Sequence, residues 1–262
     1  MVTFVLVDTS DGAKTADGEA LSPEARARTV AAVELQLNRD FAPHWGGTYR
    51  MRVAGGPADV LPGECPYVIR PTIAAANAIA DHYANPDGSP AAEDAITLSD
   101  SLFGPGNSSS AACGHECLEV GADGACNIWR DGGDGYEYAQ EVSDPVEAQT
   151  YAVTLDDGTV IYVPNFVLPA YFTPGAPGPY DYLSSIGPNP LAPTGPFQVA
   201  PGGNYQIVRS AAPGGGTIIQ ARYSGPDLSV SLTIPFAHTR ADRRLIKRRH
   251  PSSRTYRRGL RL

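Results

Sequence analysis

The chain has 262 residues, enough to bury a hydrophobic core without a partner, and a formal net charge of −8. Charged residues make up only 18%, and the 28 glycines and 24 prolines favour many turns and short strands over long helices. No stretch approaches the roughly 18–20 apolar residues of a membrane-crossing helix, and the opening residues lack a signal peptide's basic region, so the expectation is cytoplasmic synthesis with reduced thiols.

Residues 2–7, β-branched and apolar, predict an opening strand that ends in a turn at 8–12. Ser22 then caps a helix with Pro23 in its first turn, and Val30, Val33, Leu37 and Phe41 recur at helical spacing. Residues 48–54 and 66–73 read as strands, the second leading into an Ala-rich segment at 74–83, and 96–98 reads as a further short strand. A Gly/Ser-rich loop at 104–110 precedes a second helix, for which Ser108, Ser109 or Ser110 is the cap. Beyond residue 135, strands are expected at 136–142 and 151–155, and Asp156-Asp157-Gly158 predicts a hairpin turn into 160–163. The Pro/Gly/Tyr-rich run 164–203 reads as an ordered coil wrapped over the body, anchored by Phe166, Tyr171, Phe172, Tyr180, Tyr182 and Phe197. Strands at 205–209, 217–222 and 228–234 close an α+β body, and no internal repeat is present.

Charge divides the chain into two units. Residues 238–262 hold ten Arg or Lys against Asp242 alone, whereas residues 1–237 hold ten basic and 27 acidic side chains. An acidic domain at 1–237 therefore carries a basic arm at 238–262. Such an arm suits nucleic acid, an acidic protein surface or the protein's own body, and without a partner its composition favours disorder.

Site chemistry concentrates in the second helix. His115 and Glu119 lie four apart on one face, the spacing of a zinc-peptidase helix in which the second histidine has become a carboxylate. Glu116 points elsewhere and suits the general base that takes a proton from the attacking water. Asp123 shares the ligand face if the helix runs that far, although Gly121 and Gly124 argue for an end nearby. Cys113 and Cys117 flank His115 but turn away from it, and with Cys65 and Cys126 they read as buried packing thiols. His44 reads as packed against Trp45, Tyr136 and Tyr138 as packing residues before oxyanion donors, and His82 as a surface or capping histidine before a ligand.

Several segments together resemble a family of bacterial and phage-associated proteins similar to zincin-type metallopeptidases. They are Arg39-Asp40-Phe41-Ala42-Pro43-His44-Trp45-Gly46, Gly114-His115-Glu116-Cys117-Leu118-Glu119, Tyr138-Ala139-Gln140-Glu141-Val142-Ser143-Asp144-Pro145-Val146-Glu147, Asn165-Phe166-Val167-Leu168-Pro169-Ala170-Tyr171-Phe172, Tyr180-Asp181-Tyr182-Leu183 and Gly202-Gly203-Asn204-Tyr205. The chain departs from the pattern at Gly114, where the family has Ser or Thr, and at Gly124, where it has Pro. The resemblance implies a zincin-like α+β body with a small mixed sheet, an active-site helix packed under that sheet and an extended substrate along the sheet edge. It also implies a histidine in the region of His82. For the third metal ligand Asp123 stays open, but Glu141 and Asp144 are favoured because both fall in a matched segment. Zinc is the expected metal, and because one histidine with two carboxylates is a harder set than a typical zinc-peptidase site, calcium and manganese are competitors. Two functions follow as expectations: a metal-dependent peptidase acting on a peptide or protein substrate, or a non-catalytic structural or adaptor protein of a large assembly such as a phage virion, docked through the basic arm.

Overall fold

The computed structural model describes residues 1–75, 78–202, 204–212 and 215–224, with the backbone of a strand at 230–234. The basic arm at 238–262, the first residues of the strand expected at 228–234, and Gly203 lie outside the described residues. The fold is α+β, built on two five-stranded sheets and a separate hairpin. No helix among the described residues is long and apolar enough to cross a membrane.

The first sheet contains β1 (Val2–Asp8), β2 (Tyr49–Val53), β3 (Cys65–Arg70), β4 (Ala80–Ala84) and β5 (Pro90–Ala95), in the order β2-β1-β3-β5-β4. β1 runs parallel to β2 and β3, β3 runs parallel to β5, and only β4, at the edge, is antiparallel. Phe4, Val5, Leu6 and Val7 are all buried, as expected for a central parallel strand covered on both faces. Phe4 and Leu6 look towards the two long helices, while Val5 and Val7 pack with Ala54, Val60 and Val68 on the other face. The short strand expected at 96–98 is instead a 3-10 turn held by the buried Ile96, and the strand precedes it as β5. Pro90-Ala-Ala-Glu-Asp-Ala95 has no β-branched residue, so its conformation comes from pairing with β3 and β4 on either side.

α1 (Pro23–Leu35) begins as the sequence indicates, with Ser22 Oγ accepting from Ala25 N at 3.2 Å. It then widens into a π-helical turn, Gln36–Phe41, and resumes as the short α2 (Ala42–Trp45). Such wide turns re-aim side chains. Here Asp40 accepts from Tyr151 and Tyr182, both at 2.7 Å, and Gln36 Nε2 donates to Pro164 O at 2.6 Å. The wide turn thereby fastens two later segments: the hairpin of β8 (Thr150–Thr154) and β9 (Val160–Pro164), and the wrapping coil. The hairpin turns at Asp156-Asp157-Gly158 with Gly158 at φ 83°, as its sequence demands. The coil is pinned by the buried Phe166, Tyr171, Phe172 and Phe197 and carries a short helix, α4 (Tyr182–Ile186).

α3 (Ser109–Asp123) is capped by Ser108 and packs against α1, β4, β5 and β9. Its approach to the hairpin explains Gly114: a Cβ there would stand 2.5 Å from Pro164 Cδ and 2.8 Å from Gln36 Oε1. A serine or threonine there would not fit without moving β9. Gly114→Ser is expected to cost about 2–3 kcal/mol through overpacking, read as a lower urea midpoint at unchanged slope. Parent-like stability would show that α3 and β9 are not in contact at this point.

After α3 the chain forms β6 (Trp129–Asp131) and β7 (Glu137–Ala139), which join β10 (Tyr205–Ala211), β11 (Thr217–Tyr223) and β12 (Val230–Ile234) in the antiparallel order β12-β11-β10-β7-β6. The strand expected over 136–142 is thus only three residues long. The chain then leaves the sheet through Gln140 to Ser143 and enters a 3-10 turn at Asp144–Val146, with Pro145 in its first turn. This brings Glu141 and Asp144 against α3.

Candidate metal centre

Six side chains from three segments converge between α3, β4 and the turn after β7. His115, Glu116 and Glu119 come from α3, His82 from β4, and Glu141 and Asp144 from the turn. The helical spacing does what the sequence predicts, setting His115 Nε2 3.3 Å from Glu119 Oε1. Asp144 Oδ1 closes the group at 3.2 Å from the same nitrogen. Around the helix, Glu116 Oε2 and Glu119 Oε2 lie 3.0 Å and 3.1 Å from His82 Nδ1, and Glu141 Oε2 lies 3.6 Å from His82 Nε2. Glu119 is therefore common to both halves.

His82, expected as a surface or capping residue, is 5% exposed and central to the cluster. Sequence reasoning underrated it because Ala80-Asp81-His82-Tyr83-Ala84 carries little strand signal of its own. No spacing rule links residue 82 to α3, so the local pattern carried no signal for it. Asp123 belongs to neither half. Its carboxylate accepts from Asn127 N at 3.1 Å and Ile128 N at 2.7 Å, capping the loop that follows α3. Of the three candidates for third ligand, Asp144 lies with His115 and Glu119, whereas Glu141 approaches His82. Tyr138 is packed against Phe197 and donates to Asp134 at 2.7 Å, and Tyr136 lies under Arg222. His44 meets the Tyr182 ring, while Trp45 stacks on Phe41. All four cysteines are free and buried.

The four carboxylates are at most 3% exposed. Burial works against charging either imidazole, yet the surrounding acids outweigh it. Cys126, Glu141 and Glu116 around His82, and Glu119, Asp144 and Glu116 around His115, hold both well above the ordinary histidine range. Four carboxylates are thus crowded around two imidazoles in a buried site. Asp144 Oδ2 is buried with no hydrogen-bond partner. A cation resolves both features. Ligand atoms of one ion stand roughly 3.0 Å apart in an octahedron and roughly 3.4 Å apart in a zinc tetrahedron, and the observed contacts of 3.0–3.3 Å fall within that interval. The buried His82–Glu116–Glu119 group can hold a metal ion, and so can His115–Glu119–Asp144.

Beside the cluster, burial pushes the Asp94 carboxyl up to about 7, against the Ser109 hydrogen bond and the nearby Tyr67 hydroxyl, which favour its charged form, while Glu116 adds to the rise. A raised acid contributes stability that is complete below its unfolded value near 4 and is lost as pH rises through its folded value. Asp94→Asn keeps an acceptor for Ser109 Oγ, which donates at 2.9 Å. The variant is expected to gain roughly 2–4 kcal/mol over the parent at pH 8 and little at pH 4, measured by urea unfolding at both values. A pH-independent difference would refute this.

No family model matches the chain, and neither a curated protein nor a solved structure matches it.

Proposed function

We propose that this protein is a metal-dependent hydrolase, most specifically a zincin-like peptidase, with His115, Glu119 and Asp144 as ligands and Glu116 as general base. The observation that carries this reading is the meeting of His115, Glu119 and Asp144 at the most open part of the cluster. The His115 side chain is 13% exposed, against at most 4% for the other five. A catalytic ion needs a position that substrate and water can reach, and this half offers one. A divalent ion there would polarise a scissile carbonyl and increase the acidity of a water.

Glu116 would take a proton from such a water, and His82 Nδ1 at 3.0 Å fixes the orientation of its carboxylate. Ser143 N, 3.4 Å from Glu119 Oε1, helps to aim the shared carboxylate. β4 is the edge strand of its sheet and carries His82, which supports an extended peptide lying beside the centre. Zinc is the first expectation, with manganese and calcium as competitors for a set containing two carboxylates. The test is bound metal by mass spectrometry on the parent and on His115→Ala, with hydrolysis of fluorescein-labelled casein before and after 1,10-phenanthroline. Metal lost in the variant, together with chelator-sensitive hydrolysis restored by zinc, supports the reading. A parent that takes up no zinc, manganese or calcium sinks it.

The charge division favours a second role alongside catalysis: docking of the acidic body within a large assembly, such as a phage virion, through the basic residues 238–262. Deleting these residues is expected to abolish a salt-dependent association with acidic protein or nucleic acid, and unchanged association would remove the role.

A further inference from the structure

We propose that the centre takes two divalent ions bridged by Glu119, and that the second, seated among His82, Glu116 and Glu119, takes the general base out of service. The effect on rate rests on the hydrolase reading, whereas the second site rests on geometry and charge alone.

The two oxygens of Glu119 serve different imidazoles, Oε1 at 3.3 Å from His115 Nε2 and Oε2 at 3.1 Å from His82 Nδ1. A carboxylate divided in this way suits a bridge between ions roughly 3.5–4 Å apart. Each half then has the same composition, one histidine and one carboxylate of its own joined through Glu119.

Charge favours two ions over one. Metal binding requires neutral imidazoles and ionised carboxylates, and in that form the four buried carboxylates would carry four negative charges. One divalent ion leaves two of these uncompensated, and a second neutralises the set. Asp144 Oδ2 is buried with no hydrogen-bond partner, a bare oxygen that an ion would satisfy. His82 Nε2 is likewise buried with no hydrogen-bond partner, so neither ring nitrogen is committed to a backbone carbonyl that would fix it as a structural histidine.

The consequence for catalysis follows from the identity of the ligands. Glu116 Oε2 is the atom beside His82 Nδ1, so an ion seated there binds the carboxylate that must accept a proton. Coordination lowers the basicity of that oxygen, and hydrolysis should rise with the first ion and fall with the second. The His82 half is also the more enclosed of the two.

The test titrates metal-free full-length protein with zinc, counting bound ions by equilibrium dialysis and mass spectrometry, and repeats the loading with manganese(II) for electron paramagnetic resonance. About two equivalents are expected in the parent and about one in His82→Asn. The manganese-loaded parent should give an exchange-coupled signal, and casein hydrolysis should decline as the second equivalent binds. A single equivalent in the parent, or two retained in His82→Asn, overturns the second site and leaves the hydrolase reading intact. Two equivalents with an uncoupled spectrum overturn the Glu119 bridge. An undiminished rate with both ions bound overturns the capture of Glu116, and a parent that binds no metal overturns this proposal and the hydrolase reading together.

Discussion

Replacing Glu116 with glutamine should lower kcat for labelled casein about 10²–10⁴-fold while leaving the ion held by His115, Glu119 and Asp144 in place. The substitution keeps shape and an acceptor for His82 but removes the group that takes a proton. Because Glu116 pairs with His82, whereas the proposed ligands His115 and Asp144 meet at the other oxygen of Glu119, its loss should separate chemistry from metal retention. KM should change little, since the missing interaction forms in the transition state. A variant that keeps more than a tenth of the parental rate would remove Glu116 from the role of base.

Glu119→Gln should have the opposite profile: metal lost from both halves and hydrolysis abolished, with no loss of stability in the metal-free protein. In the parent, zinc at about a thousandfold above its Kd contributes about 4 kcal/mol, which in a chain of this length raises Tm by roughly 8–16 °C. The variant should show none of that rise. Without metal, however, it removes one of four carboxylates crowded into a buried site, and its Tm should equal or exceed that of the parent. Thermal scans of both proteins with chelator and with excess zinc give all four values. A zinc-dependent rise that survives the substitution would exclude Glu119 from the centre.

The parts of this centre differ in how far local sequence determined them. α3 was readable from its serine cap, its length and the i, i+4 pair His115 and Glu119, because helix spacing fixes which side chains share a face. The hairpin turn and the aromatic anchors of the wrapping coil were readable for similar reasons. His82 was not. It reaches the centre only because β5, with a composition poor in strand formers, pairs parallel to β3 and in turn carries antiparallel β4 at the sheet edge beside α3. Asp144 and Glu141 were both candidates, and the choice between them depended on a 3-10 turn that starts at Asp144 and aims its carboxylate at His115. Asp123 had the right spacing and was drawn off by two backbone amides just past the helix end, a competition that spacing alone does not reveal.

His82 belongs to the edge of one sheet, α3 follows that sheet directly, and Asp144 follows the first hairpin of the other sheet. Ions gripping all three would act as cross-links closing the long stretch of chain between residues 82 and 144. In the unfolded chain only the neighbouring His115, Glu116 and Glu119 can meet a metal, so full coordination comes late, once both sheets have docked. The metal would then do for this junction what a disulfide does for a secreted domain, restraining the second sheet from opening away from the first. Chelation should consequently expose the connection between α3 and β7 to proteases before the rest of the body unfolds.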